Sequence, residues 1–293
     1  MNAESDHPTD DRSADDLVVR ATELRKAYRV RGRGSQTLAV DGVSFTVGRG
    51  ESLAIVGESG SGKTTVANMV MGLIQPTSGT VELTGLGSTP GIRRAHERRV
   101  RSGYIQLVFQ DPYLSLDPRQ TVGAALEEVL TLHTELQPDA RAARAKELLD
   151  AVGLPAEFLT AYPRPLSGGQ RQRVAIARAL AADPSVIVLD EAVSALDVTV
   201  QAQVLRLLAR IRAERQVSFI FISHDLAVVN EISDRILVMH RGKVVESGVT
   251  QEVMSAPQHP YTKLLMASTP RPGWVPADAV RLRQEFAAAL GES

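Results

Sequence analysis

Cysteine is absent from all 293 residues. That excludes a disulfide scaffold, a thiolate zinc site, an iron–sulfur cluster and a cysteine nucleophile together. Long apolar runs are absent as well: stretches such as Val186–Leu189 and Phe219–Ile222 end within four to six residues. A bilayer-crossing helix needs about 20, so no membrane span is expected. No apolar run follows the acidic N-terminus, so no signal peptide is expected there. There is no internal repeat, so one copy of any site is expected.

Net charge is nearly absent too, at −1 from 33 Lys and Arg against 34 Asp and Glu, but this figure conceals an asymmetry. Residues 1–16 carry six acids and one Arg, a sum of −5, which leaves +4 on the remainder. Residues 1–16 are expected to form an acidic disordered tail on a mildly basic body. The composition, 43% hydrophobic and 23% charged, suits a globular protein with a real core of one large or two modest domains.

Segments 17–24 and 40–47 are β-branched and alternating, and Gly79–Thr84 continues the pattern, predicting an antiparallel sheet on the N-terminal side. A second class of strand is apolar throughout: Leu53–Val56, Gln106–Phe109, Val186–Leu189, Ser218–Ile222 and Ile236–Met239. Such strands are buried on both faces, as in a parallel α/β sheet. Between them, Val200, Val204, Leu207, Leu208 and Ile211 share a helix face, and residues 140–152 form a helix stopped by Gly153 and Pro155. Residues from about 112 to 180 lack strands and read as a helical insertion. Beyond Gly248 prolines thicken, predicting an appendage outside the main core.

Three motifs carry chemistry. Gly57, Glu58, Ser59, Gly60, Ser61, Gly62, Lys63, Thr64 and Thr65 follow the strand ending at Val56 and fit the phosphate-loop pattern G-x-x-x-x-G-K-[ST]. Glycines let backbone N–H groups curl round phosphate oxygens, and the helix N-terminus adds a favourable dipole. Lys63 can reach the β- and γ-phosphates, and the Thr64 hydroxyl can hold Mg²⁺. Next, the strand Val186–Leu189 ends in Asp190 and Glu191. Asp190 is placed to bind Mg²⁺, and Glu191 to orient and deprotonate a water; by itself, such a pair more often caps a helix. Last, Ser167, Gly168, Gly169 and Gln170 start a helix as a second Ser-capped, Gly-rich anion-binding terminus. A simple N-cap leaves its two glycines unexplained.

With these residues in this order, residues 17–250 resemble the ATP-binding cassette (ABC) family, Leu166 to Gln170 matching its signature. The resemblance implies a P-loop NTPase (RecA-like) α/β core with a parallel sheet, an N-terminal antiparallel β subdomain and an inserted helical subdomain. It further identifies Gln110 with the Q-loop amide that contacts Mg²⁺ and the attacking water. Asp197 falls in the D-loop, His224 matches the γ-phosphate-contacting histidine, and Tyr28 sits where an aromatic stacks on adenine. Ala192 and Val193 stand where many cassettes have Pro-Thr, a departure that removes no catalytic group. ATP hydrolysis is expected.

Residues 109–119, 190–205 and 257–265 are similar to the dipeptide/oligopeptide importer branch, with 251–293 as its C-terminal extension. Arg93, Arg94, Arg98, Arg99 and Arg101 form a short cluster containing Glu97 and no interleaved aromatics, so it reads as a solvated helix face rather than a nucleic-acid surface. No nucleic-acid partner is expected, although a soluble nucleic-acid- or ribosome-associated ATPase is the rival from another class. Importers of nickel, glutathione or another small solute are the nearer rivals. The resemblance implies two cassettes closing head to tail on ATP and Mg²⁺, the second cassette being the same chain or a paralogue. It implies two integral-membrane permease subunits, an extracytoplasmic solute-binding protein, and a peripheral place at the cytoplasmic face of the membrane.

Overall fold

The computed structural model describes residues 16–29, 36–88, 95–109, 116–268 and 276–289. Gln110, Arg93, Arg94 and nearly all of the acidic tail lie outside these.

Two sheets organise the fold. The first is antiparallel, in the order β2-β1-β4-β5, from β1 (Leu17–Arg29), β2 (Gln36–Gly48), β4 (Ser78–Leu83) and β5 (Gly87–Ser88). Alternation along β1 and β2 sends Val19, Ala21, Val43, Phe45 and Val47 into a common core and leaves the intervening polar residues more exposed. The second sheet has six strands, ordered β10-β9-β3-β8-β7-β6. These are β3 (Ser52–Val56), β6 (Ile105–Val108), β7 (Val186–Asp190), β8 (Ser218–Ser223), β9 (Arg235–His240) and β10 (Lys243–Val249). Strands β6, β7, β8, β3 and β9 run parallel, and every residue of β3 and β8 is buried. Two buried faces explain why these strands read as unbroken apolar runs.

β10 pairs antiparallel with β9, so the sheet is mixed, with a sixth strand beyond the five apolar runs. Its residues are only partly buried, and its edge position asks for no continuous apolar pattern.

Helices cover both faces. Between β6 and β7 come α3 (Val122–His133), α4 (Pro138–Ala151), a short 3₁₀ turn (Ala156–Thr160) and α5 (Gly168–Leu180), the helical insertion expected from the sequence. Gly153, at φ 69, ends the α4 region in the left-handed conformation open to glycine. α6 (Val198–Arg215) buries Val204, Leu207, Leu208 and Ile211, the face its periodicity marks.

Two expectations are corrected. In α2 (Ala95–Tyr104) Arg101 is not on a solvated face: it is 5% exposed. Its guanidinium donates to the carbonyls of Val70 and Met71, at the C-terminal end of α1 (Lys63–Met71). A cation there meets both the orphan carbonyls and the negative dipole end. Burial pushes its pKa down to about 10.

Likewise, the segment after β10 is not an appendage outside the core. Val253 of α8 (Thr250–Ser255) and Tyr261, Leu265 and Met266 of α9 (Pro260–Ala267) are buried in the same cluster as β7 and β8. Pro260 marks a helix start, sitting in the first turn of α9, rather than a departure from the core.

Candidate active site

Parallel strands place their C-terminal ends along one edge, where α/β proteins hold ligands. β3, β8 and β7 are adjacent, with Val56 opposite Ser223 and Asp190 opposite Ile222. The phosphate loop therefore leaves the edge beside His224 on one strand end and Asp190–Glu191 on the next.

These strand ends enclose a cleft of about 240 Å³, lined by Ala39, Ser59, Gly60, Gly62, Lys63, Thr64, Thr65, Glu191 and His224. Two glycines of the loop are sterically required. A Cβ on Gly57 (φ 148) would lie 2.2 Å from the Met239 carbonyl oxygen, and one on Gly62 (φ 105) would lie 2.5 Å from that of Ala39. At Gly60 a Cβ would meet nothing within 4 Å, so that side of the loop is open. Ser61 is buried, and its Oγ has no hydrogen-bond partner among the described residues.

No side chain caps α1 at Gly62, so the first-turn N–H groups remain available to an anion. Lys63 folds back, its Nζ donating to the carbonyls of Gly57 at 2.8 Å and Glu58 at 2.9 Å. Burial pushes the Lys63 amine below its ordinary value, against the opposing pull of Glu191, Asp190 and Glu58.

Burial also raises the Asp190 carboxyl, and the charge of Glu191 raises it further, while Lys63 and a hydrogen bond from Thr64 oppose the rise. Two adjoining carboxylates beside a hydroxyl, partly balanced by one lysine, are hard oxygen donors short of cationic charge. They fit Mg²⁺, which takes one or two protein oxygens and completes its shell with phosphate and water. Among the described residues no three His, Asp or Glu side chains form a group that could hold a metal ion by themselves.

Glu191 has φ 49, a strained value for a non-glycine residue. Its N–H donates to the Ile222 carbonyl at 2.9 Å, and its own carbonyl accepts from Ser194 N at 3.1 Å and Ser194 Oγ at 2.9 Å. These bonds hold the turn and aim the carboxylate at His224, whose Nδ1 lies 3.1 Å from Glu191 Oε1. Asp225 caps α7 (Leu226–Ile232) by accepting from Ala227 N at 2.9 Å, which fixes the turn that carries His224.

Other sequence-predicted residues stand apart from the cleft's lining. Ser167 is exposed and accepts from Gln170 N, while Gln170 Oε1 accepts from Ser167 N, a reciprocal capping box. Gly169 has a packing reason: a Cβ there would lie 2.4 Å from Val200 Cγ1. Gly168 has none, its nearest contact being an ordinary 3.5 Å to Leu196. Asp197 caps α6, accepting from Val200 N at 3.0 Å. Tyr28 is 44% exposed on β1, with Lys26 Nζ 5.4 Å from its ring centroid. Sequence reasoning missed Ala39, which lines the cleft and sets its backbone carbonyl against Gly62 and Gly242. It also missed Tyr261 as a site residue: the Tyr261 hydroxyl accepts from Glu58 N at 2.9 Å.

Comparison with known proteins shows what the chain as a whole is similar to. The sequence profile described as ABC transporter matches residues 40–194. A second profile, described as the C-terminal region of oligopeptide/dipeptide transporters, matches residues 245–288. The chain is 46% identical over 258 residues to the dipeptide transport ATP-binding protein DppF of Haemophilus influenzae, covering 87% of this chain and 78% of that one. It is 47% identical over 237 residues to the glutathione import ATP-binding protein GsiA of Pectobacterium atrosepticum, covering 80% of this chain and 37% of that one. Among solved structures, the dimeric post-hydrolysis state of the ATP-binding cassette MJ0796 bound to ADP and Pi superposes with a TM-score of 0.69. It is 31% identical, and the match covers 79% of this chain and 98% of that one.

Proposed function

The chain belongs to the ABC transporter family, and from that premise we propose that it hydrolyses ATP to drive import of dipeptides and oligopeptides. The observation that carries this reading is the convergence of the phosphate loop, Glu191 and His224 on one cleft. The loop binds the ATP phosphates through its backbone N–H groups, the α1 N-terminus and Lys63. Lys63 moves from the Gly57 and Glu58 carbonyls to the phosphates, and its restored charge partner offsets the cost of its burial.

Thr64 and Asp190, joined by Gln110, would hold Mg²⁺, which supplies charge neutralisation on the phosphates. Glu191 takes the proton of the attacking water. His224 holds Glu191 in place and reaches towards the γ-phosphate. Tyr28 stacks on adenine, as its exposed ring permits.

Ser167, Gly168, Gly169 and Gln170 lie outside the cleft, so we assign them to the phosphates of a second cassette, with Asp197 at the same junction. Two cassettes thus close head to tail and reopen after hydrolysis. No helix among the described residues is long and apolar enough to cross a membrane. We assign transport to two permease subunits, at whose cytoplasmic face the cassette docks, and to a solute-binding protein outside the membrane.

The C-terminal profile and the DppF relative support peptide as solute; the GsiA relative adds glutathione, itself a small peptide, as a second solute. Uptake of labelled dipeptide, longer peptide and glutathione, compared between parent cells and cells deleted for this chain, tests the reading. Loss of peptide uptake is expected, and unchanged uptake of all three sinks it.

A further inference from the structure

Tyr261 belongs to α9, far along the chain from the phosphate loop and outside residues 40–194, yet it touches the loop's backbone. Its side chain is 1% exposed, and its hydroxyl accepts from Glu58 N across a separation of 203 residues. That N–H is half of the peptide group joining Gly57 to Glu58. The other half is the Gly57 carbonyl, which accepts from Lys63 Nζ at 2.8 Å. In a trans peptide N–H and C=O point opposite ways, so Tyr261 and Lys63 grip one peptide unit from its two sides. Gly57, at φ 148, gives that unit no side-chain barrier against rotation.

The tyrosine is itself held. Its ring packs against His240 at 4.1 Å and Phe286 of α10 (Pro276–Ala289) at 5.7 Å between centroids. Its N–H donates to His259 Nδ1 at 3.1 Å. The turn before it is anchored by the Glu246 carboxylate, which accepts from Gln258 N at 2.7 Å and His259 N at 3.0 Å.

We propose that Tyr261 is a positioning residue for the phosphate loop, fixing the Gly57–Glu58 peptide whose carbonyl parks Lys63 within reach of the incoming phosphates. The C-terminal segment is thereby part of the nucleotide site. The inference rests on the reading of that loop as the ATP site.

Tyr261→Phe removes the hydroxyl and keeps the ring. In the full-length chain it should bind ATP roughly 2- to 10-fold more weakly, the worth of one hydrogen bond, with the loss in KM rather than kcat. The Glu58 amide should resist hydrogen exchange in the parent and exchange faster in the variant. Val253→Ala, a buried position of α8 outside the ring cluster that holds Tyr261, is the packing control: it should lower Tm and leave ATP affinity alone. Three results would each overturn the proposal: unchanged ATP affinity in Tyr261→Phe, an equal loss in Val253→Ala, or a fast-exchanging Glu58 amide in the parent. Failure of the nucleotide reading itself looks different, because the parent would then bind no ATP.

Discussion

At the scale of single residues, the cleft concentrates groups whose surroundings work against them. Glu191 is strained at φ 49, a state that costs on the order of 1–3 kcal/mol and persists only where neighbouring bonds over-determine it. Here the Ile222 carbonyl and Ser194 do so. Glu191→Gln keeps those backbone bonds and loses only the base. ATP binding should survive and turnover fall about 10²- to 10⁴-fold, as phosphate release and ATP binding measured side by side will show; near-parental turnover would remove Glu191 from its role. Asp190 is the second case. Its carboxyl is raised by burial and then by Glu191, so the folded chain holds that proton more tightly than the unfolded one. The penalty is absent below the ordinary carboxylate value, builds as pH rises from that value to the raised one, and persists at neutral pH. Asp190→Asn should therefore raise the Tm of the nucleotide-free chain at pH 7, flatten its dependence on acidic pH, and weaken the stabilisation given by Mg²⁺ with ATP. A lower Tm at pH 7 would mean that the carboxylate is satisfied in the empty site. The motif residues were legible because their chemistry is local: Lys63, Asp190 and Glu191 stand next to the strands that aim them. Ala39 was not, since any residue's carbonyl there serves and leaves no mark in the sequence.

At the scale of elements, β3, β7 and β8 could be read because burial on both faces leaves an apolar run, whereas β10 is half-exposed at an edge and carries no such run. Arg101 and Tyr261 escaped for another reason. Their partners, the end of α1 and the phosphate loop, lie on other elements, and nothing in the flanking residues encodes them. The α5 start shows how structure refines a motif. Two glycines suggested an anion site, but Gly169 is explained by α6 lying against it, with Val200 filling the space of a Cβ. Only Gly168 is left without an internal reason. Gly169→Ala should destabilise the chain by about 1–3 kcal/mol through overpacking, partly relieved by adding Val200→Ala. Gly168→Ala should hold or gain stability, since alanine is the better helix former by up to about 1 kcal/mol. Its ATP turnover should nevertheless fall, because the bare backbone would be needed by a ligand from outside the chain. Denaturant unfolding set beside ATPase rates separates the two effects, and full turnover in Gly168→Ala would count against a trans role for this helix start.

At the scale of the whole molecule, the cleft contains the phosphate loop, the base and the histidine on one side, while the capped α5 start lies outside its lining. In the pairing proposed above, a second copy or a paralogue turned head to tail would bring an exposed Ser167 to each open loop, so that each ATP would be enclosed by two chains. Association would then depend on ATP being present and unhydrolysed. Glu191→Gln, incubated with ATP, should sediment at twice the monomer mass and return to monomer when ATP is removed. A second substitution, Ser167→Arg, places a bulky cation where the partner's phosphate loop must close and should keep the chain monomeric while its own loop still binds ATP. Sedimentation velocity with and without nucleotide checks both statements. A Glu191→Gln chain that stays monomeric in saturating ATP would overturn pairing between identical copies and direct the search to a different cassette as the partner.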